Sequence, residues 1–189
     1  MNTRERLIDM LAVRSARRGD FTLASGRRSS LYVDARLTTM SPDGLATIGP
    51  LALSAMQDAG WSPDAVGGLT LGADPVSHAI SFASALAGVP IRSFTVRKEA
   101  KSHGAAKLIE GPFHPGDRVV IVEDVITTGG SALKAINAVR TAGGFVLGVL
   151  AVVDREEGGS EALTTAGYAV LALTRSSEIV ARMAVAVAP

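Results

Sequence analysis

The sequence lacks cysteine, a long apolar run and an excess of charge of either sign, and each absence excludes a class of protein. Without cysteine the chain forms no disulfide and no thiolate metal site, so a reducing cytoplasm is the expected location. No apolar run approaches the ~20 residues of a membrane span, and the N-terminus lacks the apolar core of a signal peptide. The apolar tail at 179–189 contains Arg182 and is expected to be a packed terminal segment.

Positive and negative charges nearly balance, with 19 basic and 18 acidic residues and a formal net charge of +1. This balance gives the molecule no general attraction to nucleic acid or to a membrane, and we expect neither as a partner. Any site for an anion must therefore be local.

The 189 residues suit a single domain, 1–189, in which helical and strand-like apolar spacings alternate. Strands are predicted at 65–71, 89–96, 118–122, 145–153 and 168–173, and helices at 3–17, 42–59, 76–86, 131–141 and 160–165. Two of these strands contain stretches, 119–122 and 149–153, that are apolar on both faces, which is typical of a parallel sheet covered by helices. We therefore predict an α/β fold with a central, mostly parallel sheet flanked by helices. Residues 20–36 favour a small hairpin, and the polar stretch 98–117 favours a functional loop.

The most informative segment, residues 119–132 (VVIVEDVITTGGSA), runs from a buried strand into two acids and a Thr/Gly/Ser turn. The turn opens a helix, whose first N–H groups and dipole can hold a phosphate. Glu123 and Asp124 lie at the carboxyl end of the strand, where open α/β sheets bind ligands, and adjacent carboxylates suit a pair of sugar hydroxyls. The segment contains neither a Walker A loop nor a dinucleotide fingerprint. The plain alternative is a solvated strand end and a capped helix.

This combination of strand, acid pair and turn resembles the motif of type I phosphoribosyltransferases that binds phosphoribosyl pyrophosphate (PRPP). The resemblance implies that family's fold, with a small N-terminal hood mainly at 18–38. It also implies that Glu123 and Asp124 contact the ribose hydroxyls of PRPP. The residues that would surround its 5′-phosphate are Val125, Ile126, Thr127, Thr128, Gly129, Gly130 and Ser131.

Three further segments resemble the orotate phosphoribosyltransferases in particular. They are a basic loop that begins at 96–104 (VRKEAKSHG), the N-terminal segment 21–34 (FTLASGRRSSLYVD), and 153–156 (VDRE) after a buried strand. The resemblance covers essentially the whole chain. It implies transfer of the 5-phosphoribosyl group of PRPP to orotate, which gives orotidine 5′-monophosphate and pyrophosphate in pyrimidine (UMP) biosynthesis.

The basic loop concentrates positive charge in Arg97, Lys98, Lys101 and His103. Departing pyrophosphate is a polyanion, so such a cluster suits its stabilisation, and histidine can act as acid or base at neutral pH. A solvated basic loop is the plain alternative. The resemblance implies that all four residues bind PRPP and that Lys101 and His103 are catalytic. It further implies a homodimer in which the flexible loop 98–110 closes over the neighbouring subunit's site, with only Lys98 serving its own subunit.

The resemblance implies that orotate binds to Thr127 and Arg155, the latter through the orotate carboxylate. From the residues alone, Arg155 could equally be a surface arginine at a strand end. Mg²⁺ is implied as the cofactor through PRPP, because magnesium is typically bound by substrate phosphates with few protein ligands. No residue is assigned to the metal.

The sequence departs from the family pattern at two places. Many members carry a lysine where Ala24 stands, and Arg27 or Arg28 is a candidate replacement. Many also carry one in the pyrophosphate loop, but residues 67–76 (GGLTLGADPV), which end at Val76, contain none. We place that loop at Gly72, Ala73, Asp74 and Pro75, and we predict a cis Asp74–Pro75 bond because X–Pro bonds adopt this form most readily.

Two alternative functions remain. One is an enzyme for another base, such as a purine, which the basic loop and Arg155 argue against. The other is a PRPP-sensing regulator without catalysis, which would not need the basic loop and would be expected to carry a basic nucleic-acid surface.

Overall fold

The computed structural model describes residues 2–22, 28–99 and 107–185. Ala24, Arg27, Lys101 and His103, together with part of the predicted loop 98–110, lie outside these ranges. Within them, no helix has the length and apolar character needed to cross a membrane.

The chain forms seven α-helices and eight strands in the described ranges. The helices are α1 (Thr3–Met10), α2 (Arg36–Thr39), α3 (Pro42–Asp58), α4 (Ala73–Leu86), α5 (Gly130–Thr141), α6 (Gly159–Thr165) and α7 (Ser176–Val185). The strands are β1 (Ala16–Thr22), β2 (Arg28–Val33), β3 (Ala65–Leu69), β4 (Arg92–Val96), β5 (Ile109–Glu110), β6 (Arg118–Ile126), β7 (Phe145–Asp154) and β8 (Val170–Arg175). A π-helical turn, Leu11–Ser15, joins α1 to β1.

Six strands form the central sheet in the order β5-β4-β3-β6-β7-β8. Neighbouring strands are parallel except for the short β5, which pairs antiparallel with β4. The predicted fold class is confirmed: the chain has an α/β fold with a mostly parallel central sheet flanked by helices.

Helices cover both faces of this sheet. On one face α1, α3, α4 and α7 pack against strand side chains such as Val120 and Val152. On the other face α5 and α6 pack against residues such as Ile121 and Val149. All four side chains are fully buried, which explains why β6 and β7 are apolar on both faces.

Several predicted boundaries differ from the structure because tertiary pairing decides where an element ends. The helix predicted at 3–17 is too long, since Ala16 already pairs with Val33 in the β1–β2 hairpin. The strand predicted at 118–122 is too short, since β6 stays paired with the longer β7 as far as Ile126. Glu123 and Asp124 therefore lie within the paired part of β6, near its carboxyl end, rather than beyond the strand.

Antiparallel strands β1 and β2 form a separate two-stranded sheet, as the hairpin-like pattern at 20–36 predicts. The rings of Phe21 and Tyr32 pack with centroids 5.4 Å apart. The backbone N–H of Asp34 donates to the carbonyl oxygen of Ser15 at 2.9 Å, which ties the end of the hairpin to the π-helical turn. The name hood is used below for β1, β2 and α2 together, in place of the predicted range 18–38.

Candidate active site

A cavity of about 360 Å³ opens at the carboxyl ends of β3 and β6. From β3 the chain continues to β4 on one side of the sheet, whereas β6 continues to β7 on the other. Such a reversal of strand order is where open α/β sheets bind ligands. The cavity is lined by Tyr32, Val33, Asp34, Ala35, Arg36, Leu69, Thr70, Leu71, Gly72, Lys98, Glu123, Asp124, Val125, Thr127, Ser131 and Arg155.

The acid pair forms the floor of this cavity. Glu123 is only 5% exposed, and its Oε1 accepts no hydrogen bond from the described residues. Burial, and to a lesser extent the charge of Asp124, raises the pKa of Glu123 to about 8. Burial also raises the pKa of Asp124, although its Oδ1 accepts a hydrogen bond from the backbone N–H of Val125 at 2.9 Å. A buried oxygen without a partner suits a ligand that donates hydroxyl hydrogen bonds.

The Thr/Gly/Ser turn forms a smaller adjoining cavity of about 200 Å³. Gly129 adopts a left-handed backbone (φ 79°) immediately before α5. An added Cβ there would lie 3.0 Å from the carbonyl oxygen of Gly159 and 3.2 Å from Leu163, so both conformation and space favour glycine. Among the residues that the structure describes, no side chain caps α5, which leaves the N–H groups of its first turn available to an anion.

The turn at 70–72 approaches the acid pair from β3. A Cβ on Gly72 would lie 2.4 Å from Oδ1 of Asp124, so a larger residue here would displace the Asp124 carboxylate. Asp74 holds the turn in place, because its carboxylate accepts hydrogen bonds from the hydroxyls of Thr70 (2.7 Å) and Thr95 (2.8 Å). The cavity thus joins segments that are far apart in sequence.

The predicted cis bond at Asp74–Pro75 is wrong. The cis peptide in this region is Thr70–Leu71. Pro75 is the third residue of α4, where the regular helical backbone requires trans peptides and where proline is tolerated because first-turn N–H groups have no partner within the helix.

The predicted pyrophosphate loop is only partly in the cavity. Gly72 lines it, whereas Ala73 is fully buried in α4 and Asp74 is engaged by the two threonines. Val76 is also fully buried, so that position does not face the cavity. The loop residues that line the cavity beside Gly72 are Thr70 and Leu71, which sequence reasoning did not select.

Arg155 is buried, with 7% exposure, and it lines the cavity, so it is not a surface arginine. Its Nη2 donates to Oε1 of Glu157 at 2.7 Å and to the carbonyl oxygen of Leu31 at 2.9 Å. Arg155 thereby connects the end of β7 to the hood and presents a compensated positive charge at the side of the cavity.

The predicted basic loop starts from a short hairpin. The backbone N–H of Arg97 donates to the carbonyl oxygen of Leu108 at 2.8 Å, and its Nη1 lies 3.5 Å from Oε1 of Glu110. Lys98 lines the cavity, whereas Lys101 and His103 lie outside the described residues.

Hood residues contribute more to the cavity than the sequence suggested. Arg28, a candidate replacement for a lysine at position 24, instead pairs with Asp20 on the exposed side of the hairpin and does not line the cavity. Tyr32, Asp34 and Arg36 do line it and were not selected. The available signal was the charged pair that flanks Ala35 at the end of the predicted hairpin, 20–36.

Two other histidines and a second groove lie apart from this cavity. His78 and His114 are exposed and do not line it. His78 belongs instead to an apolar groove of about 840 Å³ between α3 and α4. That groove is larger, but its lining residues include neither Glu123 and Asp124 nor any residue of the Thr/Gly/Ser turn.

No group of three or more histidine, aspartate or glutamate side chains in the described ranges could hold a metal ion. The acid pair nevertheless offers buried carboxylate oxygens beside a candidate phosphate turn. This donor set fits a magnesium ion that is carried mainly by phosphate oxygens of a ligand.

Comparison with known proteins shows the family to which the chain belongs. The phosphoribosyl transferase domain model matches residues 40–167. An orotate phosphoribosyltransferase of Aquifex aeolicus (strain VF5) is 46% identical over 182 residues, covering 95% of this chain and 98% of that protein.

The chain is also similar to solved structures of orotate phosphoribosyltransferases. The orotate phosphoribosyltransferase of Mycobacterium tuberculosis H37Rv in complex with Fe(III) dicitrate superposes with a TM-score of 0.83 at 43% identity, covering 94% of this chain and 99% of the other. A structure of the M. tuberculosis enzyme in complex with PRPP gives a TM-score of 0.80 at 41% identity, with the same coverage.

Proposed function

The chain belongs to the phosphoribosyl transferase family, among its orotate phosphoribosyltransferases, and we propose that the cavity at β3 and β6 is where it performs their reaction. It transfers the 5-phosphoribosyl group of PRPP to orotate and releases pyrophosphate, a reaction of pyrimidine biosynthesis. The assignment of the site rests on one observation: Glu123, Asp124, the Thr/Gly/Ser turn and Gly72 all meet at one cavity.

PRPP extends across this cavity in the proposed complex. Its 5′-phosphate binds the turn 125–131, and its 2′- and 3′-hydroxyls donate to Glu123 and Asp124. The unpartnered Oε1 of Glu123 supports this placement, because a ribose hydroxyl would satisfy it. The pyrophosphate then lies toward the turn 70–72 and Lys98, on the other side of the acid pair.

Orotate binds between the hood and the end of β7. Thr127 contacts the ring, and Arg155 pairs with the carboxylate of orotate. The burial of Arg155 supports this role, because a charge-assisted contact is stronger where water is excluded. Glu157 fixes the guanidinium before orotate arrives.

Catalysis rests mainly on positioning and electrostatic stabilisation. Orotate nitrogen attacks the anomeric carbon while the bond to pyrophosphate breaks, and positive charge develops on the ribose. Mg²⁺ bound to PRPP would supply charge neutralisation at the phosphates. Arg97, Lys101 and His103 would stabilise the leaving group, and closure of the loop 98–110 would exclude water.

The proposed assembly is a cytoplasmic homodimer of single-domain chains, 1–189, in which each loop 98–110 completes the partner's site. An exposed apolar face on α3 and α4 supports dimerisation. Phe82 and Leu86 are 69% and 75% exposed there, beside the groove of about 840 Å³. Exposed apolar patches of this kind are typical of interfaces, and a self-complementary face suits a twofold dimer.

A substrate panel tests this function. The purified protein is mixed with PRPP and Mg²⁺, and the absorbance of orotate is followed beside parallel reactions with adenine, hypoxanthine and uracil. We expect magnesium-dependent consumption of orotate alone. Consumption of a purine instead would contradict the assignment of orotate, and PRPP binding without turnover of any base would favour a regulator.

A further inference from the structure

The cavity contains an arginine to which the sequence pattern assigned no role. Arg36, in the first turn of α2, lines the cavity together with Leu71 and Gly72 of the turn beside the acid pair. That turn carries no cation of its own, since residues 67–76 contain no lysine or arginine. The side of the cavity proposed for pyrophosphate therefore takes positive charge from elsewhere.

Two other described cations line the cavity, Arg155 and Lys98, and the proposed complex also places Lys98 on the pyrophosphate side. Arg155 is buried at the end of β7, where Glu157 and a hood carbonyl hold it. Lys98 is exposed and follows β4. Arg36 comes from the hood and lines the same cavity as Glu123 and Asp124.

Arg36 is oriented by its neighbour Asp34. Its Nε donates to Oδ1 of Asp34 at 2.8 Å and its Nη2 donates to Oδ2 at 3.0 Å, a bidentate ion pair. The side chain is still 47% exposed, and its hydrogen bonds to Asp34 use Nε and Nη2 rather than Nη1. A guanidinium held on one edge keeps N–H donors on the other, which suits a phosphate oxygen.

We propose that Arg36 binds the pyrophosphate group of PRPP and that Asp34 positions it for this contact. The inference rests on the proposed function, because it takes PRPP as the ligand of the cavity. Arg36 supplies a cation that the turn 70–72 lacks, and it stabilises both bound PRPP and departing pyrophosphate. Asp34 acts only through Arg36, by fixing the orientation of the guanidinium.

The test compares Arg36→Gln with Arg36→Lys, using Arg14→Gln as a matched control. Arg14 forms a similar bidentate pair with Asp43 (2.7 and 2.6 Å) and has a similar exposure of 40%, but it does not line the cavity. Binding of inorganic pyrophosphate and of ribose 5-phosphate is measured separately by titration calorimetry with Mg²⁺, in the absence of orotate.

We expect Arg36→Gln to weaken pyrophosphate binding by about tenfold or more, since it removes a charge-assisted contact. Ribose 5-phosphate binding should change by less than about twofold, since the acid pair and the phosphate turn are intact. Arg36→Lys should recover part of the affinity, and Arg14→Gln should alter neither ligand. Asp34→Asn should weaken pyrophosphate binding in the same direction but less.

Equal weakening of both ligands in Arg36→Gln would show a structural role and would overturn the proposal, as would unchanged pyrophosphate binding. The outcome is independent of the base, because orotate is absent. If the unsubstituted protein binds pyrophosphate through Arg36 but does not consume orotate, the proposed function fails while the assignment of Arg36 stands.

Discussion

At the residue scale, Glu123 shows how burial gives an ordinary side chain unusual chemistry. Its carboxyl lies at the end of β6 beside Asp124, and burial together with this neighbour raises its pKa to about 8. Burial therefore favours the protonated form of this carboxyl in the free protein. A ligand that donates hydroxyl hydrogen bonds favours the ionised form, so the proposed binding of ribose would oppose the effect of burial.

Substitution of Glu123 by glutamine should change how stability depends on pH. In the unfolded chain this carboxyl ionises near its usual pKa of 4.5, whereas in the folded protein it keeps its proton until about pH 8. The folded state thus binds more protons between these values, and Glu123 lowers the free energy of unfolding as pH rises through this window, by on the order of a few kcal/mol. Glutamine cannot titrate, so Glu123→Gln should lose much of that decline.

Urea unfolding at pH 5, 6.5 and 8 measures the effect. As pH rises from 5 to 8, the free energy of unfolding of Glu123→Gln should increase relative to that of the unsubstituted protein. The control Glu161→Gln, on an exposed position of α6, should have the same pH profile as the unsubstituted protein. Parallel pH profiles for the Glu123 variant and the unsubstituted protein would contradict the raised pKa.

At the scale of elements, the candidate site depends on the hydrogen bonds that hold the turn 70–72 against β4. Asp74 accepts hydrogen bonds from Thr70 of the turn and from Thr95 of β4, and the backbone N–H of Thr70 donates to the carbonyl oxygen of Val96. This carboxylate belongs to the first turn of α4, where a negative charge is also favoured by the helix dipole. One side chain therefore fixes a helix start, a turn and a neighbouring strand.

Replacing Asp74 by alanine should lower both stability and affinity for PRPP. Two hydrogen bonds to a charged acceptor are lost, so we expect a destabilisation of roughly 3 kcal/mol and a rise in the KM for PRPP. Thr95→Val removes only one of the two bonds and should show about half of the destabilisation. Denaturant unfolding and steady-state kinetics at saturating orotate measure both effects.

Asp58→Ala, at the exposed end of α3, is the control and should change neither quantity appreciably. A normal KM for PRPP in a clearly destabilised Asp74→Ala protein would show that the turn 70–72 keeps its position without the two hydrogen bonds to Asp74.

The sequence predicted the elements of the site that are continuous in the chain and missed those that are not. Glu123, Asp124 and the turn to Ser131 follow one another, so the order of strand, acids and helix was sufficient. The approach of Gly72 to Asp124 and the presence of Arg36 in the same cavity depend on packing between β3, β6 and the hood. The cis bond was misplaced because the preference of X–Pro bonds is local, whereas Pro75 is already part of α4.

At the scale of the whole molecule, the cavity of one subunit contains the groups proposed to bind ribose, phosphate and orotate. The loop 98–110 begins beside this cavity, where the backbone N–H of Arg97 donates to the carbonyl oxygen of Leu108 in the same subunit. The proposed dimer assigns Lys101 to the partner's site and Asp124 to its own. Two differently inactivated chains should then complement each other, because a mixed dimer contains one site with both residues intact.

Lys101→Ala and Asp124→Asn are each expected to be nearly inactive alone. When the two are co-expressed in equal amounts, random pairing makes half of the dimers mixed, and one of two sites in each is intact, so activity should recover to about a quarter of the unsubstituted value. Orotate consumption per chain is the measurement. Adding Phe82→Asp to both chains places charge on the exposed apolar face of α3 and α4, so it should prevent dimerisation and abolish the recovery. Activity that stays at the level of the separate variants, in a sample shown by sedimentation to contain mixed dimers, would place Lys101 in the site of its own subunit.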